Sequence, residues 1–127
     1  MTRLTAADVQ QMQARVKGQA PPRAKSCGPN KLETRYGQYL TLRKHAGEIM
    51  DWRYEAIKLR LAPKTYFTPD FCVWYPDGAL EFLEVKGFMR DDAAVKLKTA
   101  AVLFPYHRFV LVTWEHGKWN EKGVPNG

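Results

Sequence analysis

The stretch that decides the fold runs from residue 66 to residue 87 and reads YFTPDFCVWYPDGALEFLEVKG. Its two apolar runs are rich in aromatic and β-branched residues, which favour strands. Between them, Pro76, Asp77 and Gly78 are typical of a tight turn, because proline presets φ and glycine accepts positive φ. The stretch therefore predicts a β-hairpin.

The hairpin brings two carboxylates together. A three-residue loop over residues 76–78 places Asp70 directly opposite Glu84, whereas a two- or four-residue loop places Asp70 opposite Val85 or Leu83. Directly opposite residues have Cβ atoms about 4.5–5.5 Å apart, so the carboxylates are close neighbours in every register. Because facing like charges are unfavourable, either one carboxyl is protonated or a cation lies between them.

A lysine is predicted to lie beside this pair. The strand period of two puts Glu84 and Lys86 on the same face. Oxygen ligands of this kind suit Mg²⁺ or Mn²⁺, and an ammonium next to such an ion could orient a water molecule or steady phosphate charge. A lysine acting as base would need a strongly depressed pKa, so the electrostatic role is the expectation.

These residues carry a resemblance to a known family. Pro69-Asp70, thirteen intervening residues and then Glu84-Val85-Lys86 resemble the PD-(D/E)xK nuclease motif. That superfamily includes restriction endonucleases, phage exonucleases and junction resolvases. The wider pattern from Glu33 to Gly87 is similar to a small phage and prophage nuclease family, and the resemblance covers roughly residues 31–113.

The resemblance implies a fold and a set of site residues. The implied fold is an α/β restriction-endonuclease-like core, a mixed central sheet flanked by helices. The implied catalytic residues are Glu33, Asp70, Glu84 and Lys86, and the implied metal ligands are the three carboxylates with the Val85 carbonyl. Two plainer interpretations stay open. Glu33 suits a first helical turn without any metal, and Glu84 and Lys86 suit an exposed polar pair.

Composition favours a polyanionic partner. Twenty Lys and Arg against thirteen Asp and Glu give a net charge of +7 over 127 residues. We therefore expect DNA contacts outside the carboxylates. The candidates are five basic side chains and one tyrosine expected to line the cleft: Arg53, Lys58, Arg60, Lys96, Lys98 and Tyr36. For the basic residues the alternative is a solvated strand or helix face.

The chain divides into three parts by composition. Residues 1–30 are basic and broken by Gly and Pro, which predicts a flexible arm, or an arm that lies on DNA or on a partner subunit. Residues 31–119 form the nuclease-like domain, and residues 120–127 are expected to be a frayed tail.

Periodicity predicts the elements of the domain. The expected order is a helix over 31–46, one or two strands over 48–61, the hairpin, a helix that begins near Asp91 or Asp92, and a strand over 108–114. Because a strand–helix–strand crossover joins parallel strands, the last strand is expected to lie parallel to the Glu84 strand.

Several classes are disfavoured by the sequence. No apolar run is long enough for a membrane span, and no Gly-rich phosphate loop indicates a nucleotide cofactor. Cys27 and Cys72 lack metal spacing and indicate a reduced, cytoplasmic protein. Together with the resemblance, which implies a phage or prophage nuclease, we predict a Mg²⁺- or Mn²⁺-dependent endonuclease acting on DNA in recombination, repair or processing, with a homodimer as one arrangement. A non-catalytic nucleic-acid-binding module or a phage interaction protein is the alternative.

Overall fold

A computed structural model gives the structure of residues 28–87 and 91–127. Most of the predicted basic arm, residues 1–27, lies outside these ranges. The elements in chain order are α1 (Lys31–His45), β1 (Asp51–Tyr54), β2 (Leu59–Ala62), β3 (Thr65–Phe67), β4 (Phe71–Trp74), β5 (Leu80–Val85), α2 (Asp91–Leu103), β6 (Arg108–Glu115) and β7 (Lys118–Val124).

The described elements form an α/β fold with a mixed central sheet. Five strands lie in the order β1-β4-β5-β6-β7, and β2 pairs with β3 in a separate two-stranded ribbon. Strands β5 and β6 are parallel, as expected for strands joined by a helical crossover, and the other pairs are antiparallel. Within the described ranges, no helix has the length and apolar composition needed to cross a bilayer.

The hairpin has the three-residue loop. The backbone N–H of Tyr75 donates to the carbonyl of Ala79 (2.9 Å), and Phe71 pairs with Leu83. This register sets Asp70 against Glu84 at the open end of the hairpin.

The first strand of the hairpin is shorter than the apolar run suggested. Strand β4 begins only at Phe71, and the preceding Thr65–Phe67 pairs with β2 instead. Pro69 lies between them and has no N–H to donate to a ladder, so the chain changes sheets there. The expected one or two strands over 48–61 are two strands, β1 and β2, and they belong to different sheets.

Side chains alternate between two cores along the central strands. Phe71 and Val73 pack with α1 residues such as Tyr36, whereas Cys72 packs with α2 residues such as Leu97. This alternation follows the strand period of two and covers both sheet faces. Cys72 is buried with a free thiol, as expected of a core cysteine.

The C-terminal segment differs from the expected frayed tail. Strand β7 pairs with β6 from Glu115–Lys118 to Phe109–Val124, so residues 120–124 are ordered as a strand. Beyond it, the Asn126 side chain donates to the carbonyl of Ala101 (2.8 Å). The segment is polar and weakly patterned, and it gains its structure from the edge that β6 presents to it.

Candidate active site

Glu33 is held in place by the start of α1. The Asn30 side chain accepts from the N–H of Glu33 (2.8 Å), and the Glu33 side chain accepts from the N–H of Asn30 (3.0 Å). This reciprocal capping box satisfies two backbone donors at the helix start. Glu33 is only 2% exposed, so it is no ordinary surface glutamate. The Asn-x-x-Glu spacing is therefore a local sequence signal that this carboxylate is fixed at the helix start.

The side chains of Asp70 and Glu84 each accept a hydrogen bond from a backbone N–H on the opposite side of the hairpin. The Asp70 N–H donates to Oε1 of Glu84 (3.2 Å), and the Val85 N–H donates to Oδ2 of Asp70 (2.9 Å). Both residues are nearly inaccessible, at 3% and 5% exposure. Burial rules out the plain interpretation of Glu84 as part of an exposed polar pair.

Lys86 lies beside the pair, as predicted from strand periodicity. Its Nζ is 3.3 Å from Oε2 of Glu84, and its side chain is about a quarter exposed. Burial lowers the pKa of Lys86, but the charges of Glu84 and Asp70 outweigh this and raise it above its ordinary value. A lysine with a raised pKa stays protonated, so Lys86 suits charge stabilisation and not proton abstraction.

Asp70 is the carboxyl group of the cluster whose pKa is strongly raised. Burial, followed by the charges of Glu84 and Glu33 and a hydrogen bond with Glu33, raises the pKa of Asp70 from 3.8 to about 9. The hydrogen bond from Val85 acts in the opposite direction without offsetting this. The raised pKa favours the protonated form of Asp70 when no cation is bound, because a further negative charge would lie beside Glu84 and Glu33.

The donor set suits a hard divalent cation. Three carboxylates from α1 and the hairpin meet here, and oxygen ligands are what Mg²⁺ and Mn²⁺ select. In the described part of the chain, however, no group of three or more His, Cys, Asp or Glu side chains is placed so that it could hold a metal ion. The oxygens instead accept from backbone N–H groups, Tyr54 and Lys86. A cation would therefore have to displace these hydrogen bonds and bind the ionised form of Asp70.

Tyr54 is a site residue that sequence reasoning missed. Its hydroxyl donates to Oε1 of Glu33 (3.2 Å), and it is 8% exposed. Burial and then the charges of Glu33 and Asp70 raise the pKa of Tyr54. The backbone of Glu55, which has a positive φ of 47°, donates to the Asp70 carbonyl (2.9 Å). The end of β1 therefore supports the cluster through these hydrogen bonds. This contact depends on the pairing of β1 with β4, which the local sequence does not show.

The predicted DNA contacts on the strands fall in different surroundings. Lys58 and Arg60 are exposed at the β2–β3 ribbon, where Lys58 Nζ lies 4.5 Å from the ring centre of Tyr66. Arg53 instead forms an ion pair with Asp51 (3.0 Å) and is only partly exposed. The basic side chains at the β2–β3 ribbon are therefore more accessible to solvent than Arg53.

The other predicted DNA contacts likewise include exposed residues and one that is buried. Lys96 and Lys98 are exposed on α2. Tyr36 is fully buried, and its hydroxyl donates to Glu121 (2.8 Å). Tyr36 therefore contributes to the core between α1 and the sheet, a position that does not favour contact with a nucleic acid.

Comparison of the chain with protein-family models, with curated proteins and with solved structures found no match. The functional argument therefore depends on the geometry of the cluster itself.

Proposed function

We propose that this protein is a metal-dependent nuclease that hydrolyses DNA phosphodiester bonds. One observation carries the proposal. Glu33, Asp70, Glu84 and the ammonium of Lys86 meet at the open end of the hairpin, and the three carboxylates are almost fully buried. Burying several ionisable groups together is costly, and such clusters are typical of functional sites.

Each residue has a role in this proposal. Asp70, Glu84 and Glu33 present carboxylate oxygens, with the Val85 carbonyl as a further ligand that the motif implies. A bound Mg²⁺ or Mn²⁺ would supply Lewis acidity and lower the pKa of a water molecule. Lys86 keeps its proton and offsets negative charge on the phosphate. Tyr54 holds Glu33 in its orientation through the hydroxyl hydrogen bond.

The surroundings support a polyanionic substrate. The chain carries a net charge of +7, and exposed cations lie on the ribbon and on α2: Lys58, Arg60, Lys96 and Lys98. Phosphate contacts of this kind supply most of the affinity of a protein for DNA. The proposal includes a restriction-endonuclease-like core, a phage or prophage role in recombination, repair or processing, and a homodimer for cutting two strands.

The test is cleavage with matched variants. Purified protein is incubated with single-stranded, duplex, closed circular and four-way-junction DNA, with Mg²⁺, Mn²⁺ or EDTA. We expect metal-dependent cutting that Asp70→Asn and Glu84→Gln abolish and Lys86→Ala reduces by at least tenfold. Cutting of the closed circle identifies an endonuclease.

The control is another buried glutamate on the same strand. Glu81 is 7% exposed, accepts from the Tyr75 hydroxyl (2.8 Å) and pairs with Arg108 (3.5 Å). Glu81→Gln therefore removes a buried, cation-paired carboxylate outside the cluster, and we expect it to cut like wild type. Wild-type cutting by Asp70→Asn or Glu84→Gln would refute the site assignment.

A non-catalytic nucleic-acid-binding module is the second candidate. The observation in its favour is that the carboxylate oxygens already accept hydrogen bonds, and burial raises the pKa of Asp70. DNA binding without cutting in every metal condition would establish this alternative.

A further inference from the structure

A groove lies between α1 and β1, and Glu33 is the member of the carboxylate cluster that lines it. Its inner part is a cavity of about 220 Å³ whose walls include Glu33 and Tyr54. Its outer part is a cavity of about 460 Å³ whose walls include Lys44. Thr41 and Trp52 line both cavities, so the two adjoin each other and together make up the groove.

The wall of the inner part is aromatic. The partly exposed indole of Trp52 packs against Phe71, with ring centroids 5.7 Å apart, and faces Gly37 on α1. A Cβ at position 37 would lie 3.2 Å from the edge of this indole, so glycine allows the ring to sit close to the helix. Exposed Thr34 and Gln38 line the same cavity and offer hydrogen-bonding groups beside the aromatic surface.

The outer part of the groove has exposed basic side chains. Lys44 and the neighbouring His45 are exposed there. Asp51 also lines this part, and it accepts from Lys44 (3.1 Å) and pairs with Arg53 (3.0 Å). Lys44 and Arg53 therefore share one acid, and these three side chains together carry one net positive charge beside the groove.

We propose that this groove binds an unpaired strand of the nucleic-acid substrate, with a base against Trp52 and a phosphate near Lys44. The inference rests on the proposed function and gives it a substrate class, DNA with a single-stranded segment. An aromatic surface with a cation nearby is how proteins hold single strands, because every unstacked base offers a π-face. Bases inside a duplex are stacked on both sides and offer no such face.

Two variants test the groove without altering the cluster. Trp52→Phe keeps an aromatic ring but reduces the stacking surface. Thr41→Trp fills the junction of the two cavities from an exposed helix position. Neither change places a charge in the core or touches the carboxylates.

The chain offers a matched control for each variant. Thr41 donates its hydroxyl to the Gly37 carbonyl (3.0 Å), and Thr99 on α2 donates in the same way to Val95 (2.7 Å). Thr99→Trp is therefore the control for the filling variant. Trp114 on β6, which stacks under Arg35 at 4.4 Å, provides Trp114→Phe as the control for the aromatic variant.

The measurement is binding of fluorescently labelled oligothymidine and of a blunt duplex, by anisotropy, in EDTA and moderate salt. We expect Trp52→Phe and Thr41→Trp to weaken oligothymidine binding about tenfold, with duplex binding unchanged. The two controls should bind both probes like wild type. Unlabelled oligothymidine should also quench tryptophan fluorescence in wild type, and this quenching should be largely lost in Trp52→Phe.

Three outcomes would overturn the proposal. The first is unchanged oligothymidine affinity in both groove variants. The second is an equal loss for both probes, which would show a general effect on DNA binding. The third is a concentration-dependent dimer that Thr41→Trp abolishes while oligothymidine binding stays intact, which would assign the groove to a second copy of the chain. EDTA prevents metal-dependent cleavage, so the assay measures binding alone. It therefore tests the groove even if the protein proves not to be a nuclease.

Discussion

Replacing Asp70 with asparagine should stabilise the metal-free protein at alkaline pH while removing its response to divalent cations. Oδ2 of Asp70 accepts from the Val85 N–H, and the protonated form of Asp70 can donate to Glu33, whose interaction raises the Asp70 pKa. An asparagine side chain has the same shape and can make the same two hydrogen bonds with its amide N–H and its carbonyl oxygen. It cannot ionise, so it avoids placing a further negative charge beside Glu84 and Glu33.

The size of the effect follows from the proton on Asp70. Burial and the neighbouring carboxylates raise its pKa from 3.8 to about 9 in the folded protein. The stability from this proton is fully present below the unfolded pKa and is lost as pH rises through the folded pKa. Each pH unit between these values removes about 1.4 kcal/mol per proton, so the free energy of unfolding should fall by up to about 4 kcal/mol between pH 5 and pH 8.

The assay is urea unfolding of wild type and Asp70→Asn across this pH range, in EDTA. Wild type should lose stability as pH rises, and the variant should lose much less and be the more stable protein at about pH 8. Glu81→Gln, which changes a buried carboxylate outside the cluster, should keep the wild-type pH slope. An unchanged slope in Asp70→Asn, or a variant less stable than wild type at alkaline pH, would refute the assignment of the proton to Asp70.

Added cations provide the second half of this test. A divalent ion must displace the proton, so Mn²⁺ should raise the melting temperature of wild type more at alkaline than at acidic pH. Asp70→Asn should show little response at either pH. An equal Mn²⁺ response in wild type and variant would show that the ion binds elsewhere.

Two further predictions concern the helix start and the ribbon. Asn30→Ala removes the N-cap of α1 and should lower the free energy of unfolding by about 1 kcal/mol, measured by urea unfolding; an unchanged value would contradict the capping role. The double variant Lys58→Ala with Arg60→Ala should reduce the salt dependence of DNA binding by up to about two phosphate contacts. The exposed pair Lys118 and Lys122 on β7, changed to alanine, is the control, and equal effects of both doubles would remove the ribbon from the proposed interface.

Much of the candidate site could be predicted from local sequence. The Pro-Asp-Gly turn sets the loop length, and the strand period of two then puts Asp70, Glu84 and Lys86 together. The crossover between β5 and β6 follows from the helix that joins them. These predictions succeeded because turn chemistry and strand alternation act over a few residues.

Other features depended on partners distant in the chain. The pairing of Lys118–Val124 with β6 gives order to a polar segment that carries little pattern of its own. The sequence analysis predicts that Tyr36 lines the cleft, but packing between α1 and the sheet buries it completely. The separation of β3 from β4 likewise follows from the pairing of β3 with β2.

The sequence by itself determined that two carboxylates would face each other across a hairpin with a lysine beside them. Only the tertiary structure decided that Tyr54 contacts Glu33 beside them, and that burial raises the pKa of Asp70. The physical reason is that register is a short-range property, set by a turn and an alternation. Burial and electrostatic potential are instead sums over groups that the fold collects from separate elements.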